Sequence, residues 1–185
     1  MNKNSTLKLT IVGFGIALNI VGAFIALNLK LPIYLDSIGT IMVSFILGPI
    51  YGVVTGLLGS VVSGITFDIY SLYFAPVQIF TGLIGGIMYK KGFMNKFKMP
   101  LGVLIVSVFS SLLGAVIAAY LFGGITSSGS TYIVQLLSGL GVNKVVSVFI
   151  VQFITDYADK FVAVSLAMSV IVGIPGGLKQ RLVRS

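Results

Sequence analysis

The sequence predicts an all-α integral membrane protein of six transmembrane helices with both termini cytoplasmic. Three observations carry that prediction. Hydrophobic residues fill 57% of the 185 positions and charged residues only 9%, against roughly a quarter charged in soluble domains. The runs 101–121 and 161–174 hold no charge at all and approach the ~20 apolar residues that carry a helix through a ~30 Å hydrocarbon core. The basic residues collect in the gaps between such runs. Lipid offers no partner to an unpaired backbone amide, so these runs fold as helices.

The first helix is predicted over about 7–29. Lys3 and Lys8 precede it as they would a signal peptide, but the apolar stretch outruns the 7–15 residues of a signal core. Lys30, Leu31 and Pro32 break it, and Ile33, Tyr34 and Leu35 read as extended. Asp36 and Ser37 suit the N-cap of a second helix over 36–48. Gly48-Pro49 turns into a third over 50–67. Residues 68–75 read as a loop rich in Tyr and Phe, and Pro76 suits the first turn of a fourth helix over 76–89. Lys90, Lys91, Lys96 and Lys98 fill the next gap before a fifth helix over 100–122. A Gly/Ser/Thr loop follows, and 123–155 reads as an interfacial loop or helix region. The sixth helix is placed over 156–174. No linker divides residues 1–185, so one domain is expected.

Orientation follows from the cations. Lys3, Lys8, Lys90, Lys91, Lys96, Lys98, Lys179, Arg181 and Arg184 share one side of a six-helix arrangement, and Lys30, Lys144 and Lys160 the other. Nine against three is a positive-inside bias. A seventh span at 132–154 would move the C-terminal cluster outside and is rejected. The four acidic residues, Asp36, Asp68, Asp156 and Asp159, then fall at or near the outer face, leaving none at mid-membrane to serve a proton relay.

Composition excludes several chemistries. The net charge of +8 can indicate nucleic acid, but the cations lie between membrane runs, so no nucleic-acid partner is expected. The chain has no Cys and no His, which removes thiol chemistry, zinc sites and the usual general base. There is no G-x-x-x-x-G-K-[ST] and no H-E-x-x-H. No enzymatic activity, metal or cofactor is expected.

The carboxylates come from separate segments and lie beside aromatic residues, which is how a small-molecule pocket is built; an interfacial aromatic belt with carboxylate caps is the alternative. The candidate pocket residues are Tyr34, Asp36, Asp68, Tyr70, Phe74, Gln78, Gln152, Asp156 and Lys160. Asp156 and Lys160, four apart, can pair. Asn19 in helix one reads as a tie between helices. Small residues recur four apart at Gly13/Ala17 and Gly22/Ala26, so helix one either packs closely within the chain or offers that face to a partner subunit.

The stretch Lys30-Leu31-Pro32-Ile33-Tyr34-Leu35-Asp36-Ser37-Ile38-Gly39-Thr40, followed by Leu47-Gly48-Pro49, resembles the first loop and second helix of the substrate-binding (S) subunits of energy-coupling factor (ECF) vitamin transporters. Residues 118–130 and Asp156-Tyr157-Ala158-Asp159-Lys160 are similar to later parts of the same family. The resemblance implies a multi-pass protein of the bacterial plasma membrane that binds a small water-soluble vitamin near its outer face. It implies as partners a membrane scaffold subunit and two cytoplasmic ATPase subunits, which hydrolyse the ATP. The family's Ala-x-x-x-Ala pattern on helix one is met here by the Gly/Ala pairs, not letter for letter. The 31–40 stretch looks like the pyridoxine (vitamin B6) branch; niacin, thiamine or a queuosine precursor would suit a similar pocket. A stand-alone carrier or channel, and a lipid-directed enzyme using Asp156 and Asp159, are the other function classes the residues leave open.

Overall fold

The computed structural model describes residues 3–174, so the cluster Lys179, Arg181 and Arg184 lies outside the described residues, as do the side chains of Lys3 and Lys96. The described chain is all-helical. Helix α1 (Lys3–Asn28) is followed by the connecting segment 29–37, α2 (Ile38–Leu47), α3 (Pro49–Thr66), the short α4 (Ile69–Tyr73) and α5 (Ala75–Lys90). A 3-10 turn (Lys96–Lys98) leads into α6 (Met99–Val116), which continues as a π-helical turn, Ile117–Leu121. Helices α7 (Ser130–Gly139) and α8 (Lys144–Gly173) complete it.

Three stretches, Ser5–Asn28, Pro49–Thr66 and Met99–Leu121, are helices long and apolar enough to cross a bilayer, which suggests a multi-pass membrane protein. The burial pattern agrees. Polar Asn19, Thr40, Ser107 and Ser110 are buried, while Phe14, Phe24, Leu112 and Val172 are exposed. Water would reverse that arrangement; lipid favours it.

Two predicted boundaries are corrected. Helix α8 begins at Lys144, not at 156, and its N-cap is Asn143, whose Oδ1 accepts from Val145 N at 2.9 Å. The predicted interfacial region 123–155 therefore resolves into a loop, α7, a turn at Gly141 (φ 91°) and the first turns of α8. Gln152, one of the polar residues that disguised this helix, lines the interior cavity rather than interrupting it. The second helix starts at Ile38, and neither Asp36 nor Ser37 caps it by side chain. One consequence reverses an expectation: Asp156, Asp159 and Lys160 occupy the interior of a 30-residue helix, not its outer start.

Buried apolar side chains form two cores. One joins Ile41, Met42, Val43 and Phe45 to Val103, Val106, Ala163, Val164 and Ala167. The other joins Phe74 and Val77 to Ala115, Ala118, Val148 and Val151. Along α6 and α8 the two cores are separated by polar residues: Ser110 on α6, and Asp156, Asp159 and Lys160 on α8. Ridge by ridge, the sequence leaves a polar layer between two apolar ones.

Segment 29–37 folds back against α1 instead of running over the surface. Gly22 lies under the carbonyl of Leu35, and Gly15 and Gly39 meet backbone to backbone. Lys30 (φ 52°) and Leu35 (φ 53°) hold left-handed conformations that non-glycine residues rarely adopt. A Cβ at Gly39 would overlap the Gly15 carbonyl, while one at Gly13 meets nothing within 4 Å. Gly39→Ala is therefore expected to destabilise the fold by about 3 kcal/mol or more. Gly13→Ala should leave thermal unfolding in detergent nearly unchanged.

Candidate small-molecule site

A cavity opens in the polar layer. Tyr34 and Asp36 of the connecting segment, Ser71 of α4, Phe74 (at the α4–α5 junction), Val77 and Gln78 of α5, and Gln152, Asp156 and Lys160 of α8 line it. Its empty volume is about 380 Å³ with the open mouth included. Gln152, Asp156 and Lys160 fall four apart, so one face of α8 presents all three. Gly114 of α6 makes room for the first: a Cβ there would come within 3.0 Å of the Gln152 amide nitrogen.

Lys160 is 2% exposed, and its ammonium contacts Asp156 Oδ1 at 3.0 Å and Asp159 Oδ2 at 2.9 Å. Ser110 donates to Asp156 Oδ2. Asp159 does a second task. Its Oδ1 accepts from Leu35 N at 2.8 Å and its Oδ2 from Ser37 Oγ at 2.9 Å, which pins the left-handed turn that presents Asp36. Asp36 itself forms no ion pair among the described residues.

A second network orients Gln78. Asn19 Oδ1 accepts from Gly39 N (2.7 Å) and Thr40 N (3.2 Å), and Asn19 Nδ2 donates to Thr40 Oγ1 at 2.8 Å. Thr40 Oγ1 then has its proton free for Gln78 Oε1, at 2.9 Å. The chain of donors assigns the amide: oxygen to Thr40, nitrogen toward Asp36. The predicted helix tie at Asn19 thus also sets a group in the cavity wall.

The outer wall is aromatic. Tyr34 and Phe74 lie 6.0 Å apart between ring centroids, and Phe122 packs on Tyr70 (4.7 Å), Tyr73 (5.2 Å) and Phe74 (6.5 Å). Tyr34 Oη donates to Thr126 Oγ1 at 3.2 Å. Gly129 N donates to Leu31 O at 3.0 Å, and this strap keeps the 123–129 loop over the connecting segment.

Seven of the nine candidate residues line this cavity: Tyr34, Asp36, Phe74, Gln78, Gln152, Asp156 and Lys160. Asp68 and Tyr70 do not. Asp68 caps α4 through Tyr70 N (3.3 Å) and accepts from Ser71 Oγ (3.2 Å) and Ser127 Oγ (2.9 Å). It lines a separate hollow of about 240 Å³ beside Ala23, Ala26 and Ile33. Tyr70 packs edge-on against Phe122. Of the helix-one pairs, Gly13 and Ala17 are exposed, while Gly22 and Ala26 are buried within the chain. Sequence reasoning missed Ser71, Val77, Ser110 and Ser37. Reading 144–173 as one helix would have aligned Gln152 with Asp156 and Lys160, but nothing in the sequence pointed to Ser110.

No protein-family model, curated protein or solved structure matches the chain.

Proposed function

We propose that this chain is the solute-binding S subunit of an ATP-driven ECF-type vitamin importer in a bacterial plasma membrane, and that its cavity takes a vitamin B6 form such as pyridoxine or pyridoxamine. The observation that carries the reading is the convergence of Tyr34, Asp36, Phe74, Gln78, Gln152, Asp156 and Lys160, from three separate stretches of chain, on one cavity. Two aromatic rings suit a flat heterocycle, and carboxylates with an amide suit its ring nitrogen and polar substituents.

In this reading the chain crosses the membrane six times, both termini cytoplasmic. Helices α2 (10 residues) and α5 (16 residues) are about 15 and 24 Å long, short of the bilayer, and the folded-back segment 29–37 and α4 complete those crossings. ATP hydrolysis belongs to two partner ATPase subunits, and a scaffold subunit docks on α1. Gly13 and Ala17 are the outward pair available for that contact; the inward Gly22 and Ala26 are not.

A stand-alone secondary carrier is the second reading, favoured by the charged triplet Asp156, Asp159 and Lys160 inside α8. One pair of measurements tests both. Protein purified from cells should release a B6 vitamer identifiable by mass spectrometry, and should move none of it alone in liposomes under a proton or sodium gradient. Gradient-driven uptake by the isolated chain would overturn the subunit reading.

A further inference from the structure

The cavity counts its charges unevenly. Asp36 and Asp156 line it and Asp159 stands directly behind, while Lys160 is the one cation among the described residues that lines it. That ammonium is already shared by Asp156 and Asp159 at 3.0 and 2.9 Å, so it has no charge to spare for an incoming anion. Asp68 faces the neighbouring hollow and adds a further negative charge beyond Tyr34. Lys144 lies beside Gly123 and Gly124, in the loop outside the cavity.

The donor set does not suit a metal ion: no group of three ligating side chains converges among the described residues. Tyr34 and Phe74 instead offer ring faces, and aromatic walls attract organic cations through their quadrupoles. The Asp36 carboxylate, which belongs to no ion pair among the described residues, supplies a counter-charge in the cavity wall.

We propose that the cavity selects a compact aromatic solute carrying a single positive charge, an ammonium or a protonated ring nitrogen, which pairs with Asp36, and that it rejects carboxylate- and phosphate-bearing relatives of the same ring. The inference rests on the reading of this cavity as the solute site. It separates the ligands left open above, favouring an amine or pyridinium form over nicotinate or a phosphate ester.

The test is calorimetry on the full chain in lipid nanodiscs at pH 7.5, with pyridoxamine, pyridoxine, pyridoxal 5′-phosphate and nicotinate, and with benzylamine and benzoate as non-vitamin probes. Pyridoxamine should bind at least about tenfold more tightly than either anion, and Asp36→Asn should erase that preference. Nicotinate or pyridoxal 5′-phosphate binding as tightly as pyridoxamine would overturn the charge inference while leaving the importer reading intact. Benzylamine binding with no vitamin bound would uphold the charge inference and overturn the vitamin assignment. Silence from every probe would overturn both.

Discussion

Lys160→Met is expected to cost the folded protein about 3–5 kcal/mol, the penalty for stranding buried charge. The ammonium is 2% exposed and holds two carboxylates, Asp156 and Asp159, that are themselves 6% and 2% exposed. Removing it leaves both facing one another without a cation. Asp159 also fixes Leu35 N and Ser37 Oγ, so displacing it would loosen the connecting segment as well. Thermal unfolding in detergent reads the loss. Combining Lys160→Met with Asp156→Asn and Asp159→Asn should recover much of it, because the uncompensated charges then disappear together. A Lys160→Met protein as stable as the wild type would show that the triplet is hydrated and not a buried pair.

Asp36→Asn should behave in the opposite way, sparing the fold and damaging binding. Asp36 is half-buried and takes part in no ion pair among the described residues, so its charge anchors no other charged group. Loss of one charge-assisted hydrogen bond to a solute is worth about 1.5–3 kcal/mol, or about ten- to a hundredfold in affinity. Asp156→Asn is a less clean probe, since Asp156 also pairs with Lys160 and accepts from Ser110; it should lower stability and affinity together. Unchanged affinity in Asp36→Asn, measured by calorimetry at pH 7.5, would remove Asp36 from the site.

How far the site was legible depended on periodicity. Residues 144–155 mix Lys144, Ser147, Gln152 and Thr155 with apolar side chains, and hydropathy alone could not distinguish an interrupted segment from a helix with a polar face turned inward. Placing the helix start at 156 made Asp156 a cap and hid its alignment with Gln152. Asp68 misled for a related reason. A carboxylate beside tyrosines fits a pocket and a helix cap equally well, and only the hydrogen bonds to Tyr70 N, Ser71 and Ser127 decide for the cap and the loop tie.

Composition and pattern alone determined that the chain is helical, that its solvent is largely lipid, and which few polar groups are available for chemistry, because those properties belong to the residues whatever their neighbours. The tertiary structure decided which of them meet. Asp159 of α8 holds Leu35 and Ser37 of the connecting segment, Asn19 orients Gln78 through Thr40, and Gly22 of α1 lies under the Leu35 carbonyl. Those partners are separated by as many as 124 positions (Leu35 to Asp159). Pairings at such distances are set by how helices pack and where glycine permits close approach, which no local window of sequence contains.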